Sequence, residues 1–384
     1  MDTPPIDVSL LYDTGQVRVT GDGGGEMVLH PHWLRERSHE AADFDPVTRQ
    51  RLFEPALLPA DLRVVGMERS SEDELALTFS DGARCGFSLT AILREAGWLD
   101  DPETPPAPQP WGADLDAWPG ADWAALEAPE VLRDMLAGFA RSGFCIIRNT
   151  PTQPGTLESI AKFFGHLRDT NFGPIFDVIT KPQPIDLAYT GLPLSAHADN
   201  PYRQPIPGIQ MLHCLENGVE GGLSTLVDGF ALAEALLAEA PELARVLERT
   251  TVRFRYESDD TILENRGPLI ERDGDGRLVR VRFSSRVDFV PPLDPETLDM
   301  FYRGRSRMFE LAADPRFEIR FRLDPGMLVM MDNHRLLHGR TGFDHAAARR
   351  HLQGCYIDHD GPDTMYRVLS RRWRDGEGSG REAA

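Results

Sequence analysis

The stretch HADNPYRQPIPGIQMLHCLENGVEGGLSTLVDGF, residues 197–230, and the later stretch MDNHRLLHGR, residues 331–340, decide the fold prediction. The first begins with His197 and Asp199, and in an extended segment residues two apart point to the same face. An imidazole and a carboxylate at this spacing are therefore able to bind one ion from one side. With His338 they give two histidines and one carboxylate, a set that leaves coordination positions open and suits iron(II).

A His-X-Asp triplet alone is common, and an exposed pair without function is its ordinary explanation. Support comes from Arg350, which lies 12 residues after His338 in the strand-like run RRHLQGCYID. A guanidinium there is suited to bidentate binding of the far end of a dicarboxylate. His334 competes for the third ligand position, and we predict His338 with His334 outside the ligand set.

Composition limits the partners and the compartment. The 384 residues are 41% hydrophobic, which is enough for a substantial core, and the net charge of −20 argues against nucleic-acid or anionic-membrane partners. No run approaches the roughly 20 apolar residues of a membrane helix. The N-terminus MDTPPIDVSL lacks the pattern of a secretory signal. Four widely spaced cysteines predict buried free thiols in the cytoplasm.

The chain divides into three parts by pattern. Residues 1–98 contain alternating runs such as QVRVTG and ELALTFSDG, which predict a small β-rich domain. Residues 99–118 are rich in proline and acidic side chains, and they predict a linker. Residues 119–384 combine many strand-like segments with a few helices, of which the clearest spans 228–249. We therefore predict a mainly β protein whose catalytic core is a jelly roll with flanking helices.

These stretches together resemble the γ-butyrobetaine dioxygenase and trimethyllysine dioxygenase family, among the taurine-dioxygenase-like enzymes. HPHWLRERS at 30–38 and DPVTRQRL at 45–52 resemble its small leading domain. The resemblance covers most of the chain and implies a double-stranded β-helix core, iron(II), 2-oxoglutarate, O2 and a homodimer. It implies that the iron ligands are His197, Asp199 and His338. It also implies that Arg350 binds the C5 carboxylate of 2-oxoglutarate, with Thr225 as a further contact.

One departure from the family concerns zinc. Its leading domain usually holds a structural zinc on three cysteines just after WLR and on a later histidine. Here WLRERSHEAADFDP at 33–46 has no cysteine, and GFSLTAIL at 86–93 has no histidine. We therefore predict no zinc, and a small domain that is held by packing alone.

The family binds a trimethylammonium group in an aromatic cage, where ring faces attract a cation that has no proton to donate. The positions that match the cage are all aromatic here: Phe172, Phe176, Tyr189 and Tyr356. Asp186 lies three residues before Tyr189 and could add a carboxylate beside the cation. Each ring alone is also explained as an ordinary core aromatic. Together, at family positions, they predict a quaternary ammonium site.

The other end of the substrate is predicted to be anionic. Asn200 follows the aspartate ligand, and Ser285 and Arg286 lie where family members place anion-contacting residues. An arginine with small hydroxyl donors suits a compact, highly charged anion. This feature and the missing zinc cysteines resemble the bacterial branch of the family that hydroxylates 2-trimethylaminoethylphosphonate, and this resemblance implies that compound as the favoured substrate. γ-Butyrobetaine is the alternative, and a taurine-type oxygenase without a quaternary amine is a further one. A sensor without catalysis is disfavoured because all three metal ligands are present.

Overall fold

The computed structural model describes residues 6–21, 24–179, 190–344 and 348–374. The chain separates into two compact units, Met1–Asp101 and Pro102–Ala384. This division falls inside the predicted linker, and the second half of that segment packs into the larger unit. Trp111 is buried against Phe144, and its backbone N–H donates to Asp228. Although the segment is rich in proline, this tryptophan anchors its second half to the larger unit, because the indole side chain buries a large apolar area.

The smaller unit is built from two antiparallel three-stranded sheets, ordered β1-β2-β3 and β6-β7-β8. Its elements are β1 Ile6–Leu11, β2 Gln16–Gly21, β3 Glu26–Leu29, α1 Pro31–Arg35, β4 Phe44–Asp45, β5 Gln50–Arg51, β6 Val64–Arg69, β7 Glu74–Phe79, β8 Arg84–Ser88 and α2 Leu89–Glu95. Alternate residues of the strands, such as Val17 and Val19, form its core. The β-rich prediction for this part of the chain is therefore confirmed.

A buried ion cluster stabilises the smaller unit where packing alone was expected. The Arg35 guanidinium donates to both carboxylate oxygens of Asp43, at 2.7 and 3.0 Å, and to Asp81 at 3.1 Å. Ser38 donates to Asp43 at 2.6 Å. Arg35, Ser38 and Asp43 all lie in the stretch that carries zinc ligands in the resembled family. The prediction that packing alone holds the small domain is therefore wrong, because Arg35 in this stretch provides a positive charge that pairs with Asp43 and Asp81.

Replacing Arg35 with alanine is expected to destabilise the smaller unit by about 3–5 kcal/mol, because the buried carboxylate of Asp43 then loses its ion-pair partner. Urea unfolding of the full chain measures the loss. Arg84→Ala is the matched control, since the Arg84–Glu68 pair is 62% and 70% exposed and such pairs contribute less than about 1 kcal/mol. Equal destabilisation by the two changes would contradict a structural role for the cluster.

The larger unit contains two principal sheets, a six-stranded one ordered β11-β23-β13-β21-β10-β9 and a four-stranded one ordered β12-β22-β14-β20. Its described strands are β9 Gly120–Asp122, β10 Phe144–Arg148, β11 Phe176–Ile179, β12 Leu194–His197, β13 Ile209–Asn217, β14 Ser224–Asp228, β15 Val252–Glu257, β16 Ile262–Gly267, β17 Ile270–Arg272, β18 Leu278–Val281, β19 Asp288–Phe289, β20 Glu318–Phe321, β21 Leu328–Asp332, β22 Leu336–Arg340 and β23 Arg350–Ile357. Its described helices are α3 Pro129–Ser142, α4 Thr156–Phe164, α5 Gly229–Glu239, α6 Pro241–Arg249, α7 Pro295–Ala313 and α8 Asp360–Arg374.

The two principal sheets share one apolar core, which contains Phe144 and Val329 from the large sheet and Leu226 and Leu336 from the small one. This is the predicted jelly-roll core, and among the described strands the sheets do not join into a closed barrel. The four cysteines are free and buried, as predicted. None of the described helices is long and apolar enough to cross a membrane.

The single helix predicted over residues 228–249 is wrong, because the structure has two helices there. Helix α5 ends at Glu239 and α6 begins at Pro241, with Ala240 between them at φ −149° and ψ 72°. A proline has no N–H to donate and clashes with the preceding turn, so it begins a helix more readily than it continues one.

Candidate active site

The three predicted metal ligands lie close together at the four-stranded sheet, on and just after β12 and on β22. His197 ends β12 and lies opposite His338 of β22 in the strand register, with the ring centroids 4.5 Å apart. Asp199 Oδ1 lies 3.5 Å from His197 Nε2 and 3.8 Å from His338 Nε2. His334 lies outside this group and contacts the Ile206 carbonyl. The structure thus brings together the ligand set that the sequence predicts.

The aspartate is held from both its backbone and its carboxylate. Asn333 accepts from the Asp199 N–H at 2.7 Å and donates to the Asp199 carbonyl at 3.0 Å. Gln210 and the Tyr356 hydroxyl donate to Asp199 Oδ2 at 2.6 and 2.7 Å. Because Oδ2 is engaged in this way, Oδ1 is the oxygen that faces the two imidazoles. Such outer contacts orient metal ligands and are needed for tight binding.

The protonation states also suit a metal. Burial lowers the pKa of His338 to about 4, so this imidazole is neutral at pH 7 and has a lone pair to give. Burial alone raises the pKa of Asp199, but the nearby His338 and His197 outweigh it and hold this pKa well below its ordinary range. His197 Nδ1 lies 2.9 Å from the Ser195 carbonyl, so its Nε2 is the free nitrogen. Two imidazoles and one carboxylate fit iron(II).

Arg350 provides a buried cation in the same interior. It begins β23 and shares its face with Leu352 of the core and with Tyr356, because alternate residues of a strand point the same way. Arg350 is 6% exposed, and among the described residues its Nε has no hydrogen-bond partner and no ion pair involves it. A buried guanidinium without a carboxylate partner is costly unless an anion binds there. The site therefore fits the far carboxylate of 2-oxoglutarate.

Thr225 is not brought to this interior. Its neighbour Leu226 lies opposite His338 in the register, whereas Thr225 lies opposite Gly339 and so on the other face of the sheet. There it lines a groove with Ala312 of α7. Ser224 shares the face of Leu226 and follows Gly222, where an added Cβ would lie 3.4 Å from Arg350 Nε. Because alternate residues of a strand share a face, the known register indicates that Ser224, and not Thr225, is on the interior side of β14.

Part of the predicted aromatic cage is formed. Phe176 and Tyr356 lie on neighbouring strands with ring centroids 5.4 Å apart, and the Tyr356 hydroxyl donates to Asp199. Phe176 lies across Gly354, where an added Cβ would come within 2.4 Å of the ring. Asp186 and Tyr189 lie outside the described residues. The structure thus supports a two-ring wall beside the metal ligands.

Two further tyrosines were missed by the sequence prediction. Phe172 packs edge-on against Tyr256 at 6.0 Å, and Tyr256 stacks on Tyr202 at 5.2 Å. Tyr202 lies three residues after Asp199, and this closeness in sequence was the available signal. Tyr256 lies in β15, and nothing in the sequence relates it to the metal ligands.

Of the residues predicted to contact the anionic end of the substrate, only some lie near the metal ligands. Asn200 adopts a left-handed backbone with φ 52°, is buried, and accepts from the Tyr202 hydroxyl at 2.5 Å through Oδ1. Its Nδ2 has no hydrogen-bond partner among the described residues. Arg286 is exposed but near enough to His338 to lower its pKa. Ser285 instead lines an exposed groove with Arg305. Asn200 and Arg286 are thus the donors near the triad.

The comparisons with known proteins agree with this geometry. The family described as "Taurine catabolism dioxygenase TauD, TfdA family" matches residues 103–356. The chain belongs to this family. The gamma-butyrobetaine dioxygenase of Pseudomonas sp. (strain AK-1) is 33% identical over 369 residues, which cover 95% of this chain and 96% of that protein.

Two eukaryotic relatives extend the comparison. Human gamma-butyrobetaine dioxygenase is 30% identical over 277 residues, 71% of each chain. The trimethyllysine dioxygenase of Meyerozyma guilliermondii is 27% identical over 381 residues, covering 92% of this chain and 93% of that protein. As a TauD/TfdA-family member, this chain is a 2-oxoglutarate-dependent non-haem iron dioxygenase.

The residues of the site have distinct roles in such an oxygenase. Iron(II) with 2-oxoglutarate and O2 supplies the oxidising power for C–H hydroxylation. His197, Asp199 and His338 are the residues that would hold the metal, and Arg350 would orient the co-substrate. Tyr356 donates to the carboxylate ligand and so keeps Oδ1 turned towards the histidines.

Removing only that hydroxyl, by Tyr356→Phe, is expected to weaken iron(II) binding by about 10–100-fold, the usual effect of losing an outer partner of a ligand. The ring beside Phe176 remains, so substrate KM should change little. Iron titrations of turnover measure the effect, with Tyr302→Phe on the exposed face of α7 as the control. Altered substrate KM with unchanged iron affinity would show that the Tyr356 hydroxyl acts on the substrate and does not support the metal ligand.

Proposed function

We propose that this dioxygenase hydroxylates a C–H bond of a small trimethylammonium compound with an anionic end. The observation that carries the proposal is the pair Phe176 and Tyr356, 5.4 Å apart, with the Tyr356 hydroxyl 2.7 Å from Asp199. Ring faces attract a cation that cannot donate a hydrogen bond. A trimethylammonium group on this wall brings its neighbouring carbons next to the metal ligands.

The unpartnered amide of Asn200 supports the anionic end. The Tyr202 hydroxyl donates to Oδ1, which fixes the orientation of the amide and leaves Nδ2 as the free donor. A buried donor without a partner costs about 1–3 kcal/mol, so a ligand that accepts from it gains affinity. Asn200 follows Asp199 directly, so this donor lies beside the metal while the aromatic wall takes the cation.

Between two anions we favour a phosphonate, 2-trimethylaminoethylphosphonate. Arg286 brings a permanent positive charge close to His338. A phosphonate carries more negative charge than a carboxylate, so this guanidinium attracts the phosphonate more strongly. γ-Butyrobetaine is the second candidate, and the 33% identical relative named gamma-butyrobetaine dioxygenase favours it.

A substrate panel tests the proposal. The purified protein is mixed with iron(II), 2-oxoglutarate and ascorbate, and succinate formation is followed with the phosphonate, γ-butyrobetaine, trimethyllysine, taurine and choline. We expect stimulation by trimethylammonium compounds with an anionic end, strongest for the phosphonate. If taurine stimulates and no quaternary ammonium compound does, the substrate class is wrong. If γ-butyrobetaine exceeds the phosphonate, only the choice of anion is wrong.

Phe176→Ala tests the cation wall separately. We expect substrate KM to rise roughly 10-fold, since a desolvated cation–π contact contributes about 1–2 kcal/mol. The 2-oxoglutarate KM should stay unchanged because Arg350 is not touched. Phe289→Ala, at an exposed aromatic of β19, is the matched control. An unchanged substrate KM in Phe176→Ala would support a taurine-type oxygenase without a quaternary amine.

We also propose a cytoplasmic homodimer, which the family resemblance implies and the buried free cysteines support in part. Light scattering on the purified full chain measures the assembly, and a monomer at micromolar concentration would contradict it.

A further inference from the structure

A second cluster of metal-ligating side chains lies apart from the iron ligands. Asp332 ends β21, His334 lies in the turn to β22, and His359 immediately precedes α8. One ligand atom from each lies within 4.8 Å of the others, and this is the same donor set, two imidazoles and a carboxylate, as in the active site. Among the described residues these are the two such groups of three. We propose that Asp332, His334 and His359 form a second site, which binds Zn²⁺ or a similar divalent transition-metal ion.

In the present contacts a proton lies between His359 and Asp332, at the position that a metal ion would take. His359 Nε2 donates to Asp332 Oδ1 at 3.0 Å. A metal ion replaces this proton, taking the lone pair of Nε2 and an oxygen of the carboxylate, and the proton leaves to solvent. The two side chains are 30% and 22% exposed, so an ion from solvent reaches them.

His334 is oriented to be the third ligand. Its Nε2 lies 3.2 Å from the Ile206 carbonyl, which only accepts, so Nε2 carries the proton and Nδ1 carries the lone pair. Metal-binding histidines usually donate their other N–H to such a carbonyl. Burial lowers the pKa of His334 to about 4, so the ring is neutral at pH 7. Its backbone N–H also donates to Asp332 Oδ1 at 2.9 Å, which keeps the two residues together.

One neighbour competes with the ion. Arg280 donates weakly to His334 Nδ1 at 3.3 Å, and metal binding must displace this contact. Arg280 keeps Glu271 as its partner at 3.0 Å, so its charge stays paired. Asp363 adds a second carboxylate near His359 and offsets the charge of the ion. The local charge therefore tolerates a divalent cation.

The site joins two parts of the fold that position the active site. The His359 ring packs so closely on Gly208 that an added Cβ there would lie 2.5 Å from Nδ1. Asn333, between Asp332 and His334, holds the Asp199 backbone and the Pro207 carbonyl. Zinc bound at this position ties the start of α8 to the turn that carries Asn333. The site is therefore structural, and it stands whether or not the proposed substrate is correct.

Zinc stoichiometry tests the proposal. Equilibrium dialysis of the full chain against Zn²⁺ at low micromolar concentration should give two equivalents, one at each site. His359→Ala and His338→Ala should each bind one equivalent, and the double variant none. His351→Ala is the matched control and should keep two, because His351 also pairs with an aspartate, Asp177 at 2.7 Å, but belongs to no group of three among the described residues.

A second readout separates binding from folding. Zinc should raise the melting temperature of His338→Ala but not of the His338→Ala, His359→Ala double variant. His359→Gln, which keeps a donor to Asp332, replaces His359→Ala if alanine prevents folding. One zinc equivalent in the unaltered protein, or two in the folded His359 variant, would overturn the proposal.

Discussion

Replacing His338 with alanine is expected to abolish iron-dependent succinate formation. His338 and His197 approach from paired strands, and Asp199 contributes one oxygen between them. Loss of one imidazole leaves a single histidine and a carboxylate, a donor set that holds iron(II) weakly and leaves its position undefined. We expect residual turnover below about 1% of the unaltered enzyme, in line with the loss of a group that acts at the chemical step.

The measurement needs a control for histidine loss in general. His166→Ala removes an exposed histidine and should leave turnover and iron(II) affinity unchanged. Calorimetric titration with iron(II) under anaerobic conditions reports the ligand directly, without activity. Because the second proposed metal site is intact in His338→Ala, the titration is repeated in the His338→Ala, His359→Ala double variant. Retained iron affinity there would return His334 to consideration as the third ligand, although its ring faces Ile206 in the structure.

Part of the metal-ligand prediction rests on local spacing, whereas His338 lies 141 residues after His197 and joined the set through its spacing to Arg350 and the family resemblance. His197 and Asp199 are two apart in an extended segment, and Arg350 follows His338 at a short fixed distance. These relations hold whatever the packing of the rest of the chain. The break between α5 and α6 was equally local, because Pro241 marks it in the sequence.

Other features depend on register and on distant contacts, which sequence patterns do not carry. The prediction of Thr225 did not take account of strand pairing, since only the position of Leu226 opposite His338 shows which residues of β14 face the interior. The Arg35 cluster joins residues as far apart as Asp81. The Tyr202–Tyr256 stack likewise joins two segments that no spacing rule relates.

Replacing Arg350 with methionine is expected to separate function from stability. Arg350 is buried and its Nε lacks a partner among the described residues, so without ligand the guanidinium costs desolvation energy, which also lowers its pKa. Methionine fills a similar volume without that cost. We expect the ligand-free variant to be as stable as the unaltered enzyme or more so, because the desolvation penalty of the buried charge is removed.

The same change should sharply weaken 2-oxoglutarate binding. A bidentate, charge-assisted contact in a buried site contributes about 3 kcal/mol or more, which corresponds to a rise in the 2-oxoglutarate KM of at least roughly 100-fold. Arg350→Lys keeps the charge but loses the planar pair of donors, so it should fall between the two. Thermal shifts with and without 2-oxoglutarate, together with KM values, measure both effects. A lower melting temperature with an unchanged 2-oxoglutarate KM would mean that Arg350 stabilises the fold and does not bind the co-substrate.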